Sequence, residues 1–85
     1  MEEALIPLTL EPLEEGGYLA TSPIWDELLA QGRTIAETLE IAQDVARKLI
    51  ESHIEHGDAL PAAVTQSMTR SLEPVVISVA VPIAV

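Results

Sequence analysis

The sequence predicts a single α+β domain over residues 1–85, with its elements in the order strand, strand, strand, helix, strand. Three observations predict this class. Short alternating apolar stretches precede residue 32, a long amphipathic stretch covers residues 35–55, and a β-branched run covers residues 75–81. At 85 residues the chain has room for one hydrophobic core.

The first three strands are predicted at residues 5–13, 18–22 and 28–31. Between the first two lies Glu14-Glu15-Gly16-Gly17, which is typical of a hairpin turn because glycine adopts positive φ readily. Residues 24–27 are predicted to form a loop before the third strand. The fourth strand, at residues 75–81, is expected to end at Pro82.

The ends of the helix carry the sharpest local signals. Gly32 is expected to relax the preceding turn by adopting positive φ. Thr34 and Glu37 have capping-box spacing: the Thr34 hydroxyl accepts from the Glu37 amide, and the Glu37 carboxylate accepts from the Thr34 amide. Gly57 predicts the helix end, four residues before Pro61.

The order of elements also predicts a topology. Two hairpin steps make the third strand parallel to the first, and a right-handed crossover returns the fourth strand parallel to both. The expected sheet is mixed and four-stranded, in the order 3-2-1-4, with the helix on one face. The fourth strand is apolar on both sides, so we expect another chain to bury part of the sheet. The predicted interface of a homodimer or larger oligomer comprises Val75, Ile77, Val79 and Val81.

Composition argues against several classes of function. Four Lys and Arg against 14 Asp and Glu give a net charge of −10, which makes nucleic acid an improbable direct ligand. A basic protein partner fits that charge, although plain solubility explains it equally well. With no cysteine, the chain suits a reducing cytoplasm. Its acidic N-terminus is unlike a signal peptide, and residues 74–85 are too few to span a membrane.

No catalytic or metal site emerges from the residues, and we expect neither an enzyme nor a cofactor. The predicted fourth strand has no acid, the first has only Glu11, and the helix acids lie on its polar face. His53 and His56 lie three residues apart near the helix end, but two ligands do not make a metal site. His53 is expected instead to pack against the apolar face.

Three segments, residues 18–23, 29–39 and 57–61, follow one pattern in order and spacing. The pattern is a strand ending near proline, an apolar-x-Gln-Gly-x-Thr junction, a long amphipathic helix, and then Gly-acid-x-apolar-Pro. In this the chain resembles the N-terminal domain of the HicB family of antitoxins over roughly residues 3–81. It departs from the family at Trp25-Asp26-Glu27, where Leu-Pro-Gly is usual, and at Arg33, where an acid is usual.

The resemblance implies a truncated ribonuclease-H-like fold and a non-enzymatic antitoxin. Such an antitoxin binds a small basic messenger-RNA-cleaving toxin of the HicA family and covers its catalytic surface. Many family members continue into a DNA-binding segment. None follows the last predicted strand, so we expect no direct contact with nucleic acid. The alternative function is an orphan HicB-like module, structural or ligand-sensing, that assembles with itself.

The predicted partner-binding residues are those of two acidic stretches: Glu14, Glu15, Trp25, Asp26 and Glu27. Trp25 has two possible roles, capping the end of the core or anchoring a partner among acids. Glu14 and Glu15 are either solvated turn charges or part of the same acidic surface. The residues expected to define the fold are Gly32, Thr34, Glu37, Gly57 and Pro61.

Overall fold

A computed structural model describes residues 3–69, 74 and 76–84 of the chain. Its elements, in chain order, are β1 (Glu3–Ala4), β2 (Thr9–Pro12), β3 (Tyr18–Ser22), β4 (Trp25–Gly32), α1 (Ile35–His56), α2 (Ala62–Ser67) and β5 (Met68–Thr69). Strands β2, β3 and β4 form an antiparallel sheet in that order, and β1 pairs with β5 in a second, two-stranded sheet. The predicted α+β class, with three antiparallel strands before one long helix, is confirmed.

The predicted fourth strand is absent from the part of the chain that the structure describes. Residues 76–84 have no regular secondary structure, and Val76 and Val79 are 96% and 73% exposed. Val75 lies outside the described residues. The predicted order 3-2-1-4 and the ribonuclease-H-like arrangement are therefore not confirmed. The physical reason is that β-branched composition favours a pleated surface but does not supply the neighbouring strand that a ladder needs.

Two other strands differ in length from their predictions. The strand predicted at residues 5–13 covers only Thr9–Pro12 (β2), consistent with the inability of Pro7 to donate to a ladder. The third begins at Trp25 instead of Leu28, so the predicted loop at residues 24–27 is mostly strand.

Thr34 caps α1 as predicted. It has extended backbone angles (φ −126°, ψ 165°), and its Oγ1 accepts from the Glu37 amide at 3.0 Å. The hydrogen bonds of the described residues do not include the reciprocal one from the Thr34 amide to the Glu37 carboxylate. Instead, the Thr34 carbonyl accepts from the Thr38 hydroxyl at 2.7 Å and from the Thr38 amide at 2.9 Å.

Gly32 is required for a reason other than the predicted one. Its φ is not positive; the glycines with positive φ are Gly16, Gly17 and Gly57. A Cβ atom at position 32 would instead lie 2.6 Å from Thr38 Oγ1 and 2.8 Å from the Thr38 amide nitrogen. The glycine is therefore needed because β4 and the first turn of α1 approach closely, which leaves no room for a side chain.

Gly57 ends α1 in the left-handed conformation at φ 69°, and its amide donates to the carbonyls of His53 and Ile54. The Asp58 amide also donates to the His53 carbonyl, at 2.9 Å. Such contacts satisfy carbonyls that the last helical turn leaves without partners. Pro61 precedes α2, and its carbonyl accepts from the amides of Val64 and Thr65.

The core lies between α1 and one face of the three-stranded sheet. Its buried apolar residues are Ala20, Trp25, Leu28, Ala30, Ala42 and Val64. The pairing of the strands and the alternation of their side chains place six residues on the opposite face of the sheet, which α1 does not cover. These are Thr9, Glu11, Leu19, Thr21, Leu29 and Gln31. On that face Leu29 is 58% exposed.

Thr34→Ala should lower the free energy of unfolding by about 1 kcal/mol, because the Glu37 amide loses its acceptor at the helix start. Urea unfolding followed by circular dichroism measures the change. Thr65→Ala, at an exposed position of α2, is the matched control and should have little effect. Equal unfolding of the Thr34 variant and the wild type would contradict the role given to the cap.

Candidate functional site: two acidic ends of the sheet

The five predicted partner-binding residues lie at two opposite ends of the sheet. Strand β3 pairs Tyr18 with Gly32 at one end and Ser22 with Trp25 at the other. Glu14 and Glu15 are in the turn before Tyr18, so they belong to the first end. Trp25, Asp26 and Glu27 belong to the second, and the sequence alone did not reveal this separation. We call them the turn end (Glu14, Glu15) and the bulge end (Asp26, Glu27).

The bulge end owes its form to an irregularity in β4. The pairing of Ala20 with Ala30 and Thr21 with Leu29 is regular, but Ser22 pairs with Trp25, so the register shifts at this point. The shift lets Trp25 face the core beside Ser22, which is also buried. It also leaves Asp26 and Glu27 exposed side by side, which strict alternation along a strand would not allow.

Trp25 and His53 hold the Glu27 carboxylate in place. Trp25 Nε1 donates to Glu27 Oε1 at 3.2 Å, and His53 Nε2 lies 3.1 Å from the same oxygen. The two rings meet edge to face with centroids 5.6 Å apart. The hydrogen bond from Trp25 and then that from His53 lower the pKa of Glu27 below its ordinary value. Glu27 is thus an exposed carboxylate with a fixed position and a stabilised negative charge.

His53 also ties α1 to the segment that follows it, because its Nδ1 lies 3.3 Å from the carbonyl oxygen of Ala59. The two ring nitrogens therefore each lie beside an oxygen atom, one of Glu27 and one of Ala59. The expected packing of His53 against the apolar face agrees with its contact with Trp25. Its pairing with Glu27 was not predicted, since the two residues lie 26 positions apart and belong to different elements.

Trp25 is 3% exposed. Of its two predicted roles, this burial favours capping the end of the core over anchoring a partner. In this structure the chain itself covers the Trp25 ring. Trp25 contributes to the acidic surface only through the hydrogen bond that positions Glu27. Trp25 therefore lies beneath the acids and positions Glu27, while Asp26 and Glu27 form the exposed surface.

The turn end is closed by hydrogen bonds between Leu13 and the glycines: the Leu13 amide donates to the Gly17 carbonyl, and the Gly16 amide to the Leu13 carbonyl. A shallow, open cleft separates this turn from the start of α1, and its lining includes Glu15, Arg33 and Glu37. Because Arg33 lines this cleft, the turn end carries a positive charge close to its acids.

Both ends present exposed carboxylates, which suit the binding of a positively charged surface. Within residues 3–69, 74 and 76–84, no three His, Cys, Asp or Glu side chains are grouped as metal ligands would be. A helix of sufficient length and apolarity to cross a membrane is likewise not found among those residues. Fixed carboxylates at a surface increase the rate of encounter with a basic partner and reduce wrong pairings.

Replacing Glu27 by Gln should make stability less dependent on pH. Because folding lowers the pKa of Glu27 from its ordinary value of 4.5, the stabilisation by the carboxylate is present above that value. This stabilisation is lost as the pH falls through the lowered pKa of Glu27. The wild type should therefore unfold at a higher temperature than Glu27→Gln at neutral pH, and the two should converge in acid. A constant difference in thermal midpoint across the pH range would contradict this.

Comparison with known proteins finds that the chain is similar to proteins named as HicB antitoxins and to a UPF0150 protein. It is 44% identical to "Antitoxin HicB 1" of Photorhabdus laumondii over 55 residues, which make up 65% of this chain and 36% of that protein. It is 36% identical to "Antitoxin HicB" of Escherichia coli K12 over 55 residues, 65% of this chain and 40% of that protein. The chain thus spans about two fifths of the length of these antitoxins.

A shorter relative is covered more fully. The chain is 38% identical to a UPF0150 protein of Synechocystis over 56 residues, 66% of this chain and 77% of the relative. No family model matches the chain.

Proposed function

Because the chain belongs to the HicB family, we propose that it is an antitoxin that binds and neutralises a small basic toxin of the HicA type. In this role it is not an enzyme. It acts by covering the catalytic surface of a messenger-RNA-cleaving partner, and it makes no direct contact with nucleic acid. The proposal rests on the relatives named HicB and on the acidic surface of the chain.

The observation that carries the proposal is the bulge end. Asp26 and Glu27 are adjacent and exposed, and the Glu27 carboxylate is already held by Trp25 Nε1 and His53 Nε2. A preformed acceptor loses less conformational entropy when it binds a Lys or Arg side chain than a freely moving one. We assign the first contacts with the toxin to this end, with Glu14 and Glu15 of the turn end as a second acidic contact.

The overall charge supports the same partner. A chain of net charge −10 attracts a basic protein over a distance of about 8–10 Å at ordinary ionic strength and repels nucleic acid over the same range. A basic messenger-RNA-cleaving protein has a surface suited to phosphate. An acidic protein competes for that surface by presenting carboxylates in place of phosphates.

The test is co-expression of this chain with the small basic protein encoded next to it, scored by growth and by co-purification. Expression of the basic protein alone should arrest growth, and co-expression should restore growth and yield a complex. A catalytically inactive variant of the basic protein is the matched control, because it should co-purify equally well without affecting growth.

Two results would contradict the proposal. One is the absence of any complex when both proteins are soluble and folded. The other is a complex that leaves the messenger-RNA cleavage fully active. The first result would favour the alternative of an orphan module, structural or ligand-sensing, that assembles with itself. The second would show that binding does not neutralise the partner.

A further inference from the structure

We propose that residues 76–81 of one copy of this chain add as a strand to the outer edge of β4 in a second copy. Two features of the described residues have matching chemistry: an apolar segment that lies in solvent and a sheet edge with no strand beside it.

The segment has the composition of a buried strand in an exposed position. Its large side chains are Val76, Ile77, Val79 and Val81, each between 70% and 96% exposed. Ile77, Val79 and Val81 alternate and would all lie on one face of a strand that ends before Pro82. Since this much exposed β-branched surface is unfavourable in water, and its backbone is suited to a ladder, the segment is well suited to joining a sheet.

The outer edge of β4 is the better of the two edges of the three-stranded sheet. Strand β4 is eight residues long and contains no proline, whereas β2 has four residues and ends at Pro12, which has no amide hydrogen to donate. In the described sheet β4 pairs only with β3. It also carries Leu29, which is 58% exposed on the face that α1 leaves uncovered.

Charge argues for a second copy as the occupant. Two chains of net charge −10 repel each other, so contact between them is favoured where neither surface carries charge. Residues 74–84 contain no charged side chain, and neither does the part of β4 from Leu28 to Gly32. Each chain carries both uncharged stretches, so a two-fold symmetric dimer would form the same strand-to-edge contact twice.

The connection is long enough for an exchange between copies. Seven residue steps separate Thr69, which pairs with Glu3 in the two-stranded sheet, from Val76. An extended chain of that length reaches about 24 Å. The high exposure of Val76 and Ile77 shows that the segment does not pack on its own sheet. Strand addition to a neighbouring copy would bury it and close two exposed edges at once.

Light scattering at micromolar concentration provides the first test. The wild type should have twice the chain mass of 9.1 kDa. Val79→Asp and Leu29→Asp should each weaken the dimer by at least tenfold, since each places a carboxylate in the interface. Ile54→Asp is the matched control: Ile54 is 68% exposed, close to the 73% of Val79, but lies on α1. It should leave the dimer intact, and circular dichroism should show that all three variants are folded.

Disulfide trapping provides the second test, because the chain has no cysteine of its own. Leu29→Cys is mixed in turn with Ile77→Cys, Val79→Cys and Val81→Cys, which sample three registers of one face. At least one mixture should form a disulfide between chains, and Ile54→Cys with the same partners should not.

A wild-type mass of 9.1 kDa, or a Val79→Asp variant that remains dimeric, would overturn the proposal. So would a Leu29→Cys/Val79→Cys double variant that forms its disulfide within a single chain. The toxin co-purification is read out separately, so failure of either proposal is recognisable without the other.

Discussion

Gly32→Ala is expected to destabilise the fold by about 3 kcal/mol, at the upper end of the usual cost of an added core methyl group. The added Cβ would lie 2.6 Å from Thr38 Oγ1, 2.8 Å from the Thr38 amide nitrogen and 3.0 Å from the Thr38 Cα. Two of these atoms belong to the backbone of α1. Relief therefore requires the first helical turn to move away from β4, and urea unfolding measures the cost.

Two further variants separate this effect from backbone strain. Gly57→Ala meets no atom within 4 Å but keeps φ at +69°, so it should cost about 1–2 kcal/mol through left-handed strain alone. Gly32→Ala/Thr38→Ala removes the hydroxyl but not the backbone contacts, so it should recover only part of the loss. A fully restored double variant would show that the hydroxyl alone causes the collision.

Local signals predicted the helix well, for reasons visible at its ends. Thr34 and Gly57 act on groups within a few residues of themselves, so their spacing in the chain is enough to place the start and end of α1. Gly32 was identified as essential for a reason that the structure corrects. Its neighbour Thr38 is six residues away across a strand-to-helix junction, and a close approach of that kind leaves no local signature.

The sheet and the site depended on contacts that no local pattern specifies. The register shift before Trp25 turns an expected loop into strand and buries an aromatic residue whose neighbours are acidic. The pairing of Glu27 with His53 joins two residues that lie 26 positions apart in the chain. For the segment after Val76, β-branched composition indicates what it prefers but not which edge it joins.

Charge reversal at the bulge end is the second change with a large expected effect. In Asp26→Lys/Glu27→Lys, the association rate with a basic toxin should fall by about 10–100-fold at low ionic strength. The dependence of the rate on salt should weaken as well, because the attractive field is reduced. Stopped-flow mixing at two salt concentrations measures both quantities, and circular dichroism confirms that the variant is folded.

Glu14→Lys/Glu15→Lys is the matched control, since it makes the same change of charge at the turn end. We expect it to slow association less, because Arg33 already offsets negative charge there and no described side chain fixes the carboxylates as Trp25 and His53 fix Glu27. Equal effects of the two variants would mean that net charge alone attracts the partner. A larger effect at the turn end would move the interface to Glu14 and Glu15.

The position of the acids at opposite ends of β3 sets the valency of the chain. Five residues of extended strand separate the two ends by roughly 15 Å, so one partner can touch both only if its basic surface is at least that long. Such a partner would be held at two points, each raising the effective concentration of the other. A partner with a shorter basic surface would occupy one end and leave the other to a second molecule, and the complex would then contain two partner molecules for each copy of this chain.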